Sequence, residues 1–185
     1  WDRMIRAYYF RTFGKTKVSE QDRDLLLVKR PTSRENEKLE HEDRYTRELW
    51  GVQSFDDQPN GALRLSSENL FSPAFERAYK ELTPHDHVWI RLSAELTPLD
   101  SMPTAPPLVV LHFSHKGKAY QYNAVPWPSQ GLAVNNTTTF SVDYITPEVR
   151  SEDDPIRIYL WNNGGGNFLL DNVEVEVFQP KGNND

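Results

Sequence analysis

Hydrophobic and polar residues alternate with period two through most of the chain after residue 49. Between residues 87 and 96, Val88, Ile90, Leu92, Ala94 and Leu96 take one face while Trp89, Arg91, Ser93 and Glu95 take the other. Successive side chains of a strand point to opposite faces, so this pattern predicts a strand with one face in a core. The chain closes in the same style. Ile156, Ile158 and Leu160 alternate with Arg157, Tyr159 and Trp161, and further on Val173, Val175 and Val177 alternate with Glu174 and Glu176. Between them, residues 162–167 (NNGGGN) tolerate positive φ. Residues 155–178 therefore read as two antiparallel strands joined by a turn, a closing hairpin.

Other segments repeat the theme. Residues 49–55, 62–66 and 70–77 are short strand candidates around the turn 57–61 (DQPNG). Residues 108–114 are almost continuously apolar and predict a central strand, followed by a turn at Lys116-Gly117 into a strand over 118–125. A further strand is expected over 137–144. The prolines of 97–107 predict a loop, and a second long loop over 126–136 carries Trp127 between Pro126 and Pro128. Many short strands separated by turn signals predict an all-β, two-sheet antiparallel sandwich or a barrel. Strands and helices do not alternate, which argues against a parallel nucleotide-binding sheet.

The beginning differs. In residues 1–17, Trp1, Ile5, Tyr8 and Thr12 stand near helical spacing, and five Lys/Arg face one acid, Asp2. This predicts a helix packed on its own domain, or a segment at a membrane interface. Residues 25–28 suggest a short strand. Residues 31–48 are dense in mixed charge and predict a solvated linker, placing the boundary near Leu49: an arm over 1–48 and a sandwich over 49–185.

Composition narrows the function classes. The absence of cysteine removes disulfides and thiolate metal sites. No apolar run approaches the ~18 residues of a membrane span. Trp1 and the lack of a signal peptide predict a fragment or a processed chain. Net charge is −6, but residues 1–49 hold 12 basic and 10 acidic residues while residues 50–185 hold 9 and 17. An acidic main domain argues against nucleic acid as a partner, because phosphate binding needs a basic face.

Four ordered features carry a family likeness: Phe55-Asp56, the small-residue strand Gly61-Ala62-Leu63-Arg64-Leu65-Ser66, the run VWIRLSA over 88–94, and Phe168-Leu169-Leu170-Asp171-Asn172-Val173. With these, residues 50–178 resemble the β-jelly roll of carbohydrate-binding modules and the wider galactose-binding-like superfamily. The resemblance implies a non-catalytic, extracytoplasmic carbohydrate-binding domain. It also implies a structural calcium where the first and last strands meet, at Asp56 or Asp57 and Asp171.

A sugar site needs flat aromatic platforms with polar groups at the rim. Candidates are Trp127 in its proline-flanked loop, Tyr159 and Trp161 on one face of their strand, Tyr120 and Tyr122 on one face of theirs, and Arg91 as a hydroxyl partner. Tyr159 and Trp161 would stand about 6.6 Å apart along a strand. Trp50 and Trp89 read as core. His85, His87, His112 and His115 lack the cysteine or HExxH context of a zinc site. No catalytic motif selects a nucleophile or a carboxylate pair. Asn135-Asn136-Thr137-Thr138 holds overlapping glycosylation sequons. Two rival readings stand beside sugar binding. One is a structural or protein-interaction sandwich whose face is covered by the arm; the other is a glycan-active enzyme with two facing carboxylates.

Overall fold

The computed structural model describes residues 38–85, 87–101, 103, 105–127, 132–146, 149 and 151–181. The helix expected over residues 1–17 and the strand expected over 25–28 lie outside them. Nine strands follow in chain order: β1 (Tyr45–Gln53), β2 (Leu63–Leu65), β3 (Phe75–Ala78), β4 (Trp89–Pro98), β5 (Leu108–His115), β6 (Lys118–Pro126), β7 (Thr138–Ile145), β8 (Pro155–Trp161) and β9 (Phe168–Pro180). One helical turn, α1 (Tyr79–Leu82), follows β3.

The strands form two antiparallel sheets. Sheet 1 has the order β1-β9-β4-β7, with β2 also paired to β9, and sheet 2 has the order β3-β8-β5-β6. The pairings nest about one turn. Lys116 and Gly117, at φ 50° and 76°, join β5 to β6. Outside that pair, β4 meets β7, β3 meets β8 and β2 meets β9, all antiparallel. The chain thus pairs as one long hairpin folded over on itself, the double-sheet jelly roll. The alternation drives the fold-over, because each strand has one apolar face and two such faces bury each other. The inward residues expected for β4, β8 and β9 are all buried in the core between the sheets.

The closing hairpin is corrected by this topology. β8 lies between β3 and β5, whereas β9 lies between β1 and β4. Residues 162–167 carry the chain from one sheet to the other rather than around a hairpin turn. Each strand thereby gains two partners while its apolar face enters the shared core from its own side. The loop is tightly placed. A Cβ on Gly164 would stand 2.2 Å from the Ala105 carbonyl oxygen, and Gly165 has φ 65°. Asn162 is fully buried and its Nδ2 donates to the Gly166 carbonyl at 2.7 Å.

The charged segment also ends earlier than expected. Its last four residues form the start of β1, and Leu39 is buried, with its N–H donating to Asp143 Oδ2 at 2.8 Å. β1 is the end strand of sheet 1, where exposed Thr46, Arg47 and Glu48 are tolerated. The strand expected over 70–77 shortens to β3 because Pro73 interrupts it; Phe71 keeps a single bridge to Trp161.

Candidate functional site

Along β8 the period-two pattern sends Ile156, Ile158 and Leu160 into the core and leaves Arg157, Tyr159 and Trp161 on the outer face of sheet 2. In register beside them, His112 of β5 sits between Arg157 and Tyr122. Phe71 reaches the same face through its bridge to Trp161.

The five rings form a continuous strip. Phe71 stacks on Trp161 with centroids 6.1 Å apart and meets Tyr159 edge-on at 5.9 Å. His112 meets Tyr159 edge-on at 6.0 Å and stacks on Tyr122 at 6.3 Å. Phe71 is 50% and Tyr122 47% exposed, and the three rings between them are half-buried. From Trp161 to Tyr122 the strip crosses two strand spacings and four residues of rise, about 16 Å on the diagonal. Val110, which pairs with Tyr159, lies fully buried on this face.

Charge at the strip is balanced. Arg157 Nε pairs with Glu76 Oε2 at 2.7 Å. Burial, and then the nearby Arg157 guanidinium, push the His112 pKa below its usual 6.5, so the ring is neutral at pH 7. Burial also raises the Tyr159 pKa, helped by the Tyr122 hydroxyl with which it shares a hydrogen bond. The His112 ring nitrogens have no hydrogen-bond partner among the described residues.

The structure thus brings together three of the expected sugar-site residues, Tyr159, Trp161 and Tyr122. Three others lie elsewhere. Trp127 is 1% exposed and packs on Phe140 with centroids 4.8 Å apart, while its backbone N–H donates to the Pro107 carbonyl at 2.7 Å. That bond fixes the loop so that the indole closes the core instead of capping a ligand. Tyr120 parts from Tyr122 because of a β-bulge. Phe113 pairs with Gln121 and Ser114 with Ala119, so Tyr120 is an extra residue and turns inward, 6.2 Å from the Phe113 ring.

Arg91 belongs to the outer face of sheet 1. Its Nε and Nη2 donate to the Asp143 carboxylate at 2.6 and 3.0 Å, and its Nη1 pairs with Glu42 at 2.7 Å. The guanidinium also lies 5.0 Å over the Phe178 ring. The Asp143 hydrogen bonds outweigh burial and hold the Arg91 pKa above its usual range. Nearby, Arg47 bonds Glu176 and stands 3.8 Å from Glu174. Trp89 is buried as expected, but it lies on this outer face beside Phe178, while Trp50 enters the core.

Phe71 and His112 were missed in the sequence. His112 sits in an apolar run whose period-two signal is erased, because the rings on the outer face cover Val110 as completely as the core covers Val109. The weak signal for Phe71 was a large ring beside a strand-breaking Ser-Pro.

The calcium donors are not assembled as a carboxylate group. Asp56 and Asp57 are exposed, and Asp56 Oδ2 accepts a bond from Ser54 Oγ at 2.8 Å. Asp171 lies in β9 with its Oδ1 buried and without a hydrogen-bond partner among the described residues. Among the described residues, no three His, Cys, Asp or Glu stand where they could share a metal ion. No described helix is long and apolar enough to cross a membrane.

No protein-family model and no curated protein sequence matches the chain. Solved structures overlap with it at low similarity. A family 16 carbohydrate-binding module has 14% identity and a TM-score of 0.41, over 67% of this chain and 84% of the other. The CBM22-1 xylan-binding domain from Paenibacillus barcinonensis has 14% identity and a TM-score of 0.40, over 74% and 87%. The VP2 subviral particle of infectious bursal disease virus has 12% identity and a TM-score of 0.38, over 76% and 33%. At these scores the overlaps carry no argument about activity, and the jelly roll rests on the strand pairing itself.

Proposed function

We propose that the ring strip on sheet 2 binds carbohydrate, and that the chain is a non-catalytic carbohydrate-binding module acting outside the cytoplasm. The observation that supports this is the strip itself: five contiguous, partly exposed rings on one sheet face. Exposed rings are costly to leave against water, and the apolar faces of pyranose rings are their natural complement. A span of about 16 Å suits an oligosaccharide better than a single ring. The carboxylate beside the strip, Glu76, is engaged by Arg157, whereas glycoside cleavage uses two positioned carboxylates. The basic, aromatic residues 1–17 would hold such a module at a membrane surface. Asp171, whose buried Oδ1 has no partner among the described residues, would anchor a structural calcium without Asp56 or Asp57.

The test is a glycan array probed with the full chain, followed by calorimetry on any hit. Binding of neutral oligosaccharides, with Trp161 fluorescence responding, is the expected result. An array without a ligand overturns the reading. The interaction-domain alternative, supported by Leu49 (53% exposed) and Val52 (55% exposed) on the end strand β1, would then take its place.

A further inference from the structure

Within the strip, His112 stands apart from its neighbours. Tyr122 and Tyr159 bond each other, Phe71 has no polar atom and Trp161 offers a donor alone, whereas both His112 ring nitrogens, a donor and an acceptor, lack a protein partner among the described residues. The ring is the fourth of the five, held between Tyr122 on β6 and Tyr159 on β8. A neutral imidazole in that position has one donor and one acceptor available, the pair that a sugar hydroxyl matches. Resting on the carbohydrate reading, we infer that His112 is the specificity-determining residue of the strip, bonding a ligand hydroxyl as the neutral ring and releasing it on protonation.

The charged groups around the ring set the sign. Arg157 on β8 opposes the imidazolium and Glu76 on β3 favours it, while Tyr159, its pKa raised by burial, and the Tyr122 ring complete the groups that face it. Burial is the largest influence and already disfavours the charged ring. A bound ligand removes more water from the ring and lowers its pKa further. By reciprocity, the protonated ring binds ligand more weakly. Affinity is therefore full above about pH 6.5 and falls as the pH drops through the pKa of His112.

The experiment is calorimetric titration of the full chain with xylohexaose and cellohexaose, at about pH 7.5 and about pH 5. Binding about tenfold weaker at the acid pH is expected, with protons released on binding near the midpoint. His112→Gln, which keeps a donor and an acceptor but does not titrate, should bind with no pH dependence. In the unmutated protein, NMR titration of the imidazole should show its pKa lowered by saccharide. Equal binding at both pH values, a pH response that persists in His112→Gln, or a pKa unmoved by saccharide overturns the assignment of His112 alone. If neither saccharide binds at any pH, the inference about His112 falls, while the carbohydrate reading itself falls only if the glycan array also holds no ligand.

Discussion

The outer faces of the two sheets begin from similar sequence. β4 places Trp89 and Arg91 outward between aliphatic residues, and β8 does the same with Arg157, Tyr159 and Trp161. Their fates differ because of what lies in register beside them. On sheet 1, Arg91 finds Asp143 on β7 and Glu42 before β1, and Arg47 finds Glu176. Its charges are satisfied within the protein, and Leu39 docks there through Asp143. On sheet 2 the neighbours are more rings, which stack on one another and leave both His112 ring nitrogens without a protein partner among the described residues. A face closed by ion pairs serves stability, and the face of stacked, half-exposed rings is the one we propose to meet a ligand. Outward-facing residue types alone do not separate the two.

Four substitutions test this contrast. The largest effect belongs to the core beneath both faces. Trp127→Ala should cost about 3–5 kcal/mol of stability, read by denaturant melts, with no selective loss of binding in the fraction that folds. Selective loss of binding with stability intact would return Trp127 to the ligand site. Arg91→Met should cost about 3 kcal/mol, because it removes the charge partner of the Asp143 carboxylate, whose side chain is only 8% exposed and keeps only the Leu39 N–H. Glycan affinity should be unchanged, since sheet 1 faces away from the strip. Trp161→Ala should reverse that profile. Affinity should drop by about 1.5 kcal/mol, roughly tenfold, with a smaller change in stability. Equal losses of affinity in Arg91→Met and Trp161→Ala would erase the distinction between the faces.

The smallest expected effect is that of calcium. A weak site filled to about its dissociation constant adds about 0.4 kcal/mol. Melting in calcium and in a chelator should differ by that little, and Asp171→Ala should abolish the difference. Coincident curves for the unmutated protein remove the ion from the proposal.

Much of the fold was legible from local pattern. The inward residues of β4 and β8 follow directly from period two, and so does the outward placement of Tyr159 and Trp161, because side-chain direction within a regular strand is a local property. Where regularity fails, the reading failed too. One extra residue in β6 sends Tyr120 inward, a shift that depends on its pairing with β5 and so leaves no mark in the sequence of β6 alone.

What the sequence by itself determined is therefore most of the strands, the inner and outer faces of β4 and β8, the turn at Lys116–Gly117 and the all-β class. Only the tertiary structure decided which strands are neighbours. It split the closing pair between two sheets, locked Arg91 to Asp143, drew Trp127 into the core and assembled Phe71 and His112 with Tyr159, Trp161 and Tyr122. Alternation is written residue by residue along a strand. Pairing depends on burying two sheets against each other at once, and the candidate site is made of residues far apart in the chain that become neighbours through that pairing.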